Sequence, residues 1–269
     1  MMPVGPQDLP VAPQDPPAGS PVLSGVVRME WRKLRTVRST WFILLVFAAG
    51  MAGFAALVGA TSPLHPAPSY DPTEELFAGL ALGQLAVGIL GVLLLSTEFG
   101  NGSIRATFAA VPRRGSVLAA KAAVMAAVTL AAGEVLAFAA FAAFQIAAPR
   151  SVSHPSLGQP EVLRAVLLAG AYPCLIGLIG LGLAAVIRHT AGAIAAIVGV
   201  VFLLPVVLLP LGEHSAVMRF LPEIIAENSL TAVKPVPDSL TAGAGFGMLC
   251  LYAAVMLAAG GWSLARRDA

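Results

Sequence analysis

The sequence predicts an all-α membrane protein with six transmembrane helices, preceded by an amphipathic interfacial helix. Composition is the first indication, because 58% of the 269 residues are hydrophobic and only 11% are charged, whereas soluble proteins carry about 25% charged residues. Six separate apolar runs are the second, because each is close to the roughly 20 residues that a spanning helix needs. The composition excludes an ordinary soluble enzyme. No soluble segment long enough to fold accumulates a basic face, so we expect no nucleic-acid partner.

The N-terminal part divides into a tail and a helix. Residues 1–23 contain seven prolines and few large apolar residues, so they are predicted to be a disordered tail. Residues 24–40 place Val27, Trp31 and Leu34 at helical spacing among basic residues. This pattern is typical of an amphipathic helix that lies along a membrane surface. A solvated helix with a positive flank is the alternative.

The six-span domain covers residues 41–262, and residues 263–269 form a cytoplasmic tail. At a rise of about 1.5 Å per residue, about 20 residues cover the hydrocarbon thickness. The predicted spans are residues 41–60, 76–96, 122–148, 165–187, 191–211 and 242–262.

The cationic residues predict the orientation of these spans. Twelve Lys and Arg residues fall on the side of the two termini and four fall on the other side. Because cytoplasmic loops carry the excess of Lys and Arg, both termini are expected in the cytoplasm, with the chain in the plasma or inner membrane.

Glycine pairs in two spans predict close helix packing. Gly79 with Gly83 and Gly243 with Gly247 are each separated by four residues, a spacing that lets helix backbones approach each other.

The chain lacks the sequence elements of a nucleotide-hydrolysing or metal-dependent enzyme. A Walker A loop needs Gly before its Lys, but Lys33, Lys121 and Lys234 follow Arg, Ala and Val. The chain has no H-E-x-x-H motif, and its four histidines are scattered among different loops. We therefore expect no enzyme activity and no metal site in this chain.

The loop between the second and third spans carries the clearest pattern. Residues 100–103 combine two glycines that permit a sharp turn with a serine that can cap a helix. Ile104, Phe108 and Val111 then recur at helical spacing, and Pro112 ends the helix. The loop is thus predicted to form a short amphipathic helix beneath the membrane, flanked by cations. A topology loop that is merely positive is the alternative.

The same loop contains a pattern made of Glu98, Gly102, Ser103, Arg105, Pro112, Arg114 and Lys121. In this pattern it resembles the cytoplasmic loop of permease subunits of type-2 ATP-binding-cassette exporters. Ser103 stands where that pattern more often has Thr, and both residues carry a capping hydroxyl. The resemblance extends over most of the chain after Ser24, including the run Glu30–Leu34, the six spans and the ending Arg266–Asp268.

The resemblance implies a coupling helix that rests on a separate cytoplasmic ATPase subunit. ATP would be bound by that partner, with no cofactor in this chain. A second permease subunit, identical or paralogous, and the lipid bilayer would be the other partners. The residues implied in coupling are Glu98, Gly102, Arg105, Phe108, Pro112 and Arg114.

Two roles for this loop remain open at the level of sequence. In the first, Ile104 and Phe108 seat in a hydrophobic cleft of the ATPase while the arginines set the register by charge complementarity. In the second, Glu98 pairs with a cation of the N-terminal helix and braces the gate.

Glu134 is the one acidic residue inside a predicted span and lies near its middle. An ionised carboxylate there is costly, so Glu134 is expected to face the bundle interior, to be protonated or to have a partner. In one role, Glu134 lines a translocation path or belongs to a proton relay. In the other, it is a neutral side chain hydrogen-bonded to another helix, with Gln84 as the candidate hydrogen-bond partner. The first role allows an alternative function, an ion-coupled secondary transporter. A non-transporting structural membrane protein is the third class.

Overall fold

The computed structural model describes residues 21–36, 38–63, 70–111, 114–149, 154–208, 210, 217–232 and 239–266. Regular structure in these ranges is helical, with no strand. Six of the helical segments are long and apolar enough to cross a membrane, which makes the chain a multi-pass membrane protein. These segments are Arg38–Thr61, Leu80–Gly100, Arg114–Ala147, Pro160–Ile187, Thr190–Leu208 and Ala242–Arg266.

Short helices precede, connect and interrupt these six segments. In chain order the α-helices are α1 (Pro21–Thr36), α2 (Arg38–Thr61), α3 (Pro72–Leu76), α4 (Leu80–Gly100), α5 (Ser103–Ala110), α6 (Arg114–Ala147), α7 (Pro160–Ile187), α8 (Thr190–Val198), α9 (Leu204–Leu208), α10 (Pro222–Leu230) and α11 (Ala242–Arg266). A π-helical turn, Gly199–Leu203, joins α8 to α9, and a 3-10 turn, Met218–Phe220, precedes α10.

Several helix boundaries differ from those that hydropathy predicts. The second span begins at Leu80 rather than at residue 76, because Asp71 accepts hydrogen bonds from the first turn of a separate helix, α3. The third begins at Arg114 rather than at residue 122, since Lys121 interrupts the apolar run without interrupting the helix. The predicted tail is helical from Pro21. Its first 20 residues, and residues 267–269, lie outside the described part of the chain.

The helices alternate in direction, so the described bundle has two distinct ends. One end, called the α5 end below, holds α1, α5, the starts of α2 and α6, and the last turns of α4, α7 and α11. The opposite end holds α3 and α10, joined where Asp71 Oδ2 accepts a hydrogen bond from Ala232 N at 2.6 Å.

Glycines bring the backbones of α4 and α7 into direct contact at the centre of the core. A Cβ atom added at Gly91 would overlap the carbonyl oxygen of Gly177, and one added at Gly180 would overlap that of Gly88. No side chain larger than hydrogen fits at these crossings without moving a helix.

The two glycine pairs singled out from the sequence behave differently. Gly79 and Gly83 pack closely on α2, against the Gly50 carbonyl and the Phe47 ring, so the predicted close packing is confirmed for this pair. At Gly243 and Gly247 an added Cβ would meet no described atom within 4 Å, so this pair does not join described helices.

Candidate functional site

A sharp turn places α5 directly beneath the end of α4. Gly102 has a φ of 72° and is the N-cap residue of α5, a left-handed conformation that glycine adopts without steric cost. Asn101 Oδ1 accepts a hydrogen bond from Ser103 N at 3.0 Å. The helix predicted from the sequence is thus present, but the cap attributed to the Ser103 hydroxyl is wrong, because Gly102 occupies the capping position.

The apolar face of α5 is turned toward the protein itself. Ile104 is 2% exposed and belongs to the main core, while Phe108 is half-buried. A small second core of Val26, Val111, Val117 and Ala120 contacts Phe108. The prediction that Ile104 seats in a partner's cleft is therefore wrong for this conformation. Helical spacing reveals an apolar stripe but does not say which surface covers it.

The exposed face of α5 carries one cation and small side chains. Arg105, Ala106 and Ala109 are exposed. Among the predicted coupling residues, Arg105 is thus the one whose side chain is available on this helix. Pro112, also predicted to take part, lies outside the described residues together with Arg113.

Lys121 forms the centre of a buried ionic cluster at the α5 end. Its side chain is 0% exposed, and its Nζ donates to Glu30 Oε2 at 2.8 Å and to Glu98 Oε1 at 2.6 Å. It also donates to the carbonyl oxygen of Leu94 at 3.3 Å. An ammonium has three N–H donors, so all of them are used. The cluster joins α1, α4 and α6.

Lys33 is the fourth member of this cluster and its more exposed edge. Its Nζ donates to Glu98 Oε1 at 2.9 Å and lies 3.6 Å from Glu30 Oε1. The sequence-based prediction that Glu98 pairs with a cation of the N-terminal helix is confirmed. Burial lowers the pKa of Lys33, but the hydrogen bond from Lys33 to Glu98 and the charges of both carboxylates outweigh it, so the pKa is raised.

The charges of the cluster are balanced, but two of its carboxylate oxygens lack hydrogen-bond donors. Two carboxylates face two ammonium groups, which limits the cost of burying charge. Glu30 Oε1 and Glu98 Oε2 are nevertheless buried and accept no hydrogen bond from any described residue. Both side chains line a cavity of about 220 Å³.

Two arginines connect the end of α11 to the elements around it. Arg114 donates to the Leu264 carbonyl at 3.1 Å, and its guanidinium lies 5.3 Å from the Phe108 ring centroid. Arg188 donates to the Ser263 carbonyl at 2.9 Å and lies 5.4 Å from the Phe99 ring. Cations at a helix C-terminus stabilise the exposed carbonyls there.

Glu134 lies in α6 where that helix contacts α7. Its side chain packs against Gly170, where an added Cβ would lie 2.7 Å from the Glu134 Cδ. Glu134 Oε2 is buried and accepts no hydrogen bond from the described residues. The suggested Gln84 partner is wrong, because Gln84 is bonded elsewhere.

A second polar site occupies the opposite end of the bundle. Gln84 donates to Glu223 Oε2 at 2.6 Å and accepts a hydrogen bond from the Tyr172 hydroxyl at 2.5 Å. These residues line an acidic cavity of about 280 Å³ that also includes Glu74 and Glu227. Burial and then the neighbouring carboxylates Glu227, Asp71 and Glu75 raise the pKa of Glu74.

The sequence does not predict this acidic cavity, although it contains a signal of it. Glu223 and Glu227 are spaced by four residues on a short helix, and Glu74 and Glu75 are adjacent in the chain. Only the fold brings α3 and α10 together over Gln84. Among the described residues, no group of three or more His, Cys, Asp or Glu side chains is arranged to hold a metal ion.

Comparison of the chain with models of known protein families and with curated proteins finds no match.

Proposed function

We propose that this chain is the permease subunit of an ATP-driven exporter of the ATP-binding-cassette type. It would work with a separate cytoplasmic ATPase subunit and with a second permease subunit, identical or paralogous. The α5 end would face the cytoplasm, and α1 would lie along the membrane surface with its exposed arginines toward the lipid head groups.

The attachment of α5 to the helix bundle is the observation that supports this proposal. This eight-residue helix is continuous with α4 through a two-residue turn, and α4 is joined to α1 and α6 by the Lys121 cluster. Displacement of α5 would therefore be transmitted to three helices at once. An ATPase subunit that closes on nucleotide binding can supply such a displacement.

The exposed face of α5 suits a partner protein. Arg105 offers a guanidinium for an acidic surface, and Ala106 and Ala109 allow a close approach of the partner. The resemblance of the loop to the coupling loop of type-2 exporters supports the same role, with Arg105 as the contact residue and Ile104 and Phe108 as its internal anchors.

The test is a charge reversal on α5 in the full chain, purified in mild detergent from its own cells. We expect the unchanged protein to copurify with a protein that contains a Walker A loop and hydrolyses ATP. Arg105→Glu should remove most of that ATPase activity from the eluate. Arg219→Glu, at the opposite end of the bundle, is the matched control and should leave it unchanged. Equal ATPase activity with all three proteins, or none with any, contradicts the proposal.

Glu134 favours a second candidate function, an ion-coupled secondary transporter. Its buried oxygen accepts no hydrogen bond from the described residues, as in a carboxyl that exchanges protons or binds a cation. This candidate predicts flux that persists in vesicles without ATP, stops with a protonophore and is lost in Glu134→Gln. Flux that requires ATP and survives Glu134→Gln contradicts it.

A further inference from the structure

The cavity beside the Lys121 cluster has two chemically different sides. Its inner side is formed by the ionic cluster described above. Its outer side combines the partly exposed Leu93 of α4 with polar side chains at the surface. These polar side chains are Ser39, Thr97 and Asn101.

The inner side is short of hydrogen-bond donors. Glu30 is 0% exposed, yet its Oε1 accepts no hydrogen bond from the described chain, and the same is true of Glu98 Oε2. Leaving a charged acceptor buried without a donor is costly. Lys121 cannot supply the missing donors because its three N–H groups are already used. A molecule in the cavity that carries N–H or O–H groups would satisfy them.

The charge of the cluster favours a zwitterionic molecule. A lone cation would add positive charge to a cluster whose two carboxylates are already balanced by two ammonium groups. Lys33, whose side chain is 40% exposed, can offer a further N–H to an anionic group at the mouth of the cavity. An ammonium within a few ångströms of a phosphate matches both features.

The position of the cavity indicates that a membrane lipid supplies this ammonium and phosphate. Its exposed lining residues include Ser39, in the first turn of α2, and Thr97, in the last turn of α4, and they mark its mouth. Both belong to segments able to cross a membrane, so the mouth lies at the level of the lipid head groups. Leu93, which is partly exposed beside it, can contact an acyl chain.

The volume admits a head group and little more. The cavity of about 220 Å³ is below the roughly 300 Å³ at which pockets for drug-sized ligands begin. We propose that this cavity binds the primary ammonium head group of a zwitterionic phospholipid, with the ammonium donating to Glu30 Oε1 and Glu98 Oε2 and the phosphate facing Lys33. This assignment is independent of the exporter function.

The choice of lipids makes a direct test. Phosphatidylethanolamine and phosphatidylcholine carry the same charges, but the trimethylammonium of phosphatidylcholine has no N–H. The full chain is equilibrated with an equimolar mixture of the two, and the lipids retained after delipidation are counted by native mass spectrometry. We expect about a tenfold preference for phosphatidylethanolamine, the effect of about one charged hydrogen bond.

Two variants assign the binding to this cavity. Ser39→Phe fills the mouth without removing a charge and should reduce the preference to about one. Lys33→Gln removes the group that faces the phosphate, which both lipids carry, so it should lower the retention of both lipids. Thr61→Phe is the matched control, because it changes an exposed hydroxyl residue at the other end of α2, and it should retain the preference.

Three results would overturn the proposal. Equal retention of the two lipids would show that N–H donors are not recognised. A preference that persists in Ser39→Phe, or an unchanged retention of both lipids in Lys33→Gln, would place the lipid elsewhere. Soluble phosphoethanolamine that binds as tightly as the lipid would show that the ligand is not a membrane lipid.

Discussion

Replacing Lys121 by methionine tests whether the buried ionic cluster holds the α5 end together. The substitution keeps the length of the side chain but removes donors to Glu30, Glu98 and the Leu94 carbonyl. Glu30 is then left with Lys33 at 3.6 Å as its ion-pair partner among the described residues. Removing one partner of a buried ion pair costs about 3–5 kcal/mol, so the unfolding equilibrium constant should rise by about two to three and a half powers of ten.

Reversible unfolding in mixed micelles with increasing SDS, followed by circular dichroism, measures this change. Lys33→Gln is the control, because the half-exposed Lys33 side chain should contribute about 1 kcal/mol or less. The double variant Glu30→Gln with Lys121→Met should be more stable than Lys121→Met alone, since it removes the buried carboxylate that has lost its closer cation. A Lys121→Met protein within about 1 kcal/mol of the unchanged protein would refute the reasoning.

Three further predictions follow from the helix contacts, the acidic cavity and the backbone. Gly91→Ala should destabilise the bundle by more than about 2 kcal/mol because its Cβ would overlap the Gly177 carbonyl. Gly53→Ala, with open space around it, should be neutral or slightly stabilising. Unfolding in SDS measures the stability of both variants. Burial, offset in part by the hydrogen bond from Gln84, raises the pKa of Glu223, so the folded state holds the proton more tightly than the unfolded state does. The free energy of unfolding should therefore fall as the pH rises from the unfolded pKa of about 4.5 through the folded value. Glu223→Gln should flatten that part of the pH profile, and an unchanged slope would contradict the assignment. Arg188 has a φ of 59°, so Arg188→Gly should be about 1 kcal/mol more stable than Arg188→Ala in the same assay, and the reverse order would show that this conformation carries no cost.

Hydropathy predicts the six spans well because lipid selects for long apolar runs. It misplaces their ends where polar residues continue a helix. Lys121 illustrates this, because a charge that would end an apolar run instead lies inside α6 and is fully buried. The lysine keeps its charge in the protein interior through Glu30 and Glu98, and a hydropathy average contains no information about partners.

The ionic cluster could be predicted only in part. A pair between Glu98 and a cation of the N-terminal helix is one of the two roles that the sequence leaves open for this loop, and Lys33 provides that cation. Glu30 and Lys121 are 91 positions apart, and only the packing of α1 on α6 brings them together. The acidic cavity has the same origin, because Gln84 and Glu223 are separated by 139 positions.

Ile104 is the main case in which a correct pattern gives a wrong interpretation, because it is buried in the protein's own core. Ile104 and Phe108 form the apolar stripe that the sequence predicts, and the coupling role of Phe108 stays a prediction. A stripe at helical spacing is equally suited to a partner and to the chain's own core. The distinction depends on whether α1 is present to cover it, and Val26 of α1 belongs to the small core against which Phe108 packs.

The backbone contacts between α4 and α7 have a consequence for how motion can pass through this molecule. Helices that touch at two glycine crossings cannot slide or roll separately without carbonyl groups colliding, and the hydrogen bond between Tyr172 and Gln84 ties the same pair farther along. A displacement of α5 should therefore tilt α4 and α7 together, as one rigid body. The 28 residues of α7 extend over about 42 Å. A small displacement at the α5 end would therefore move the residues that line the acidic cavity at the opposite end of the bundle.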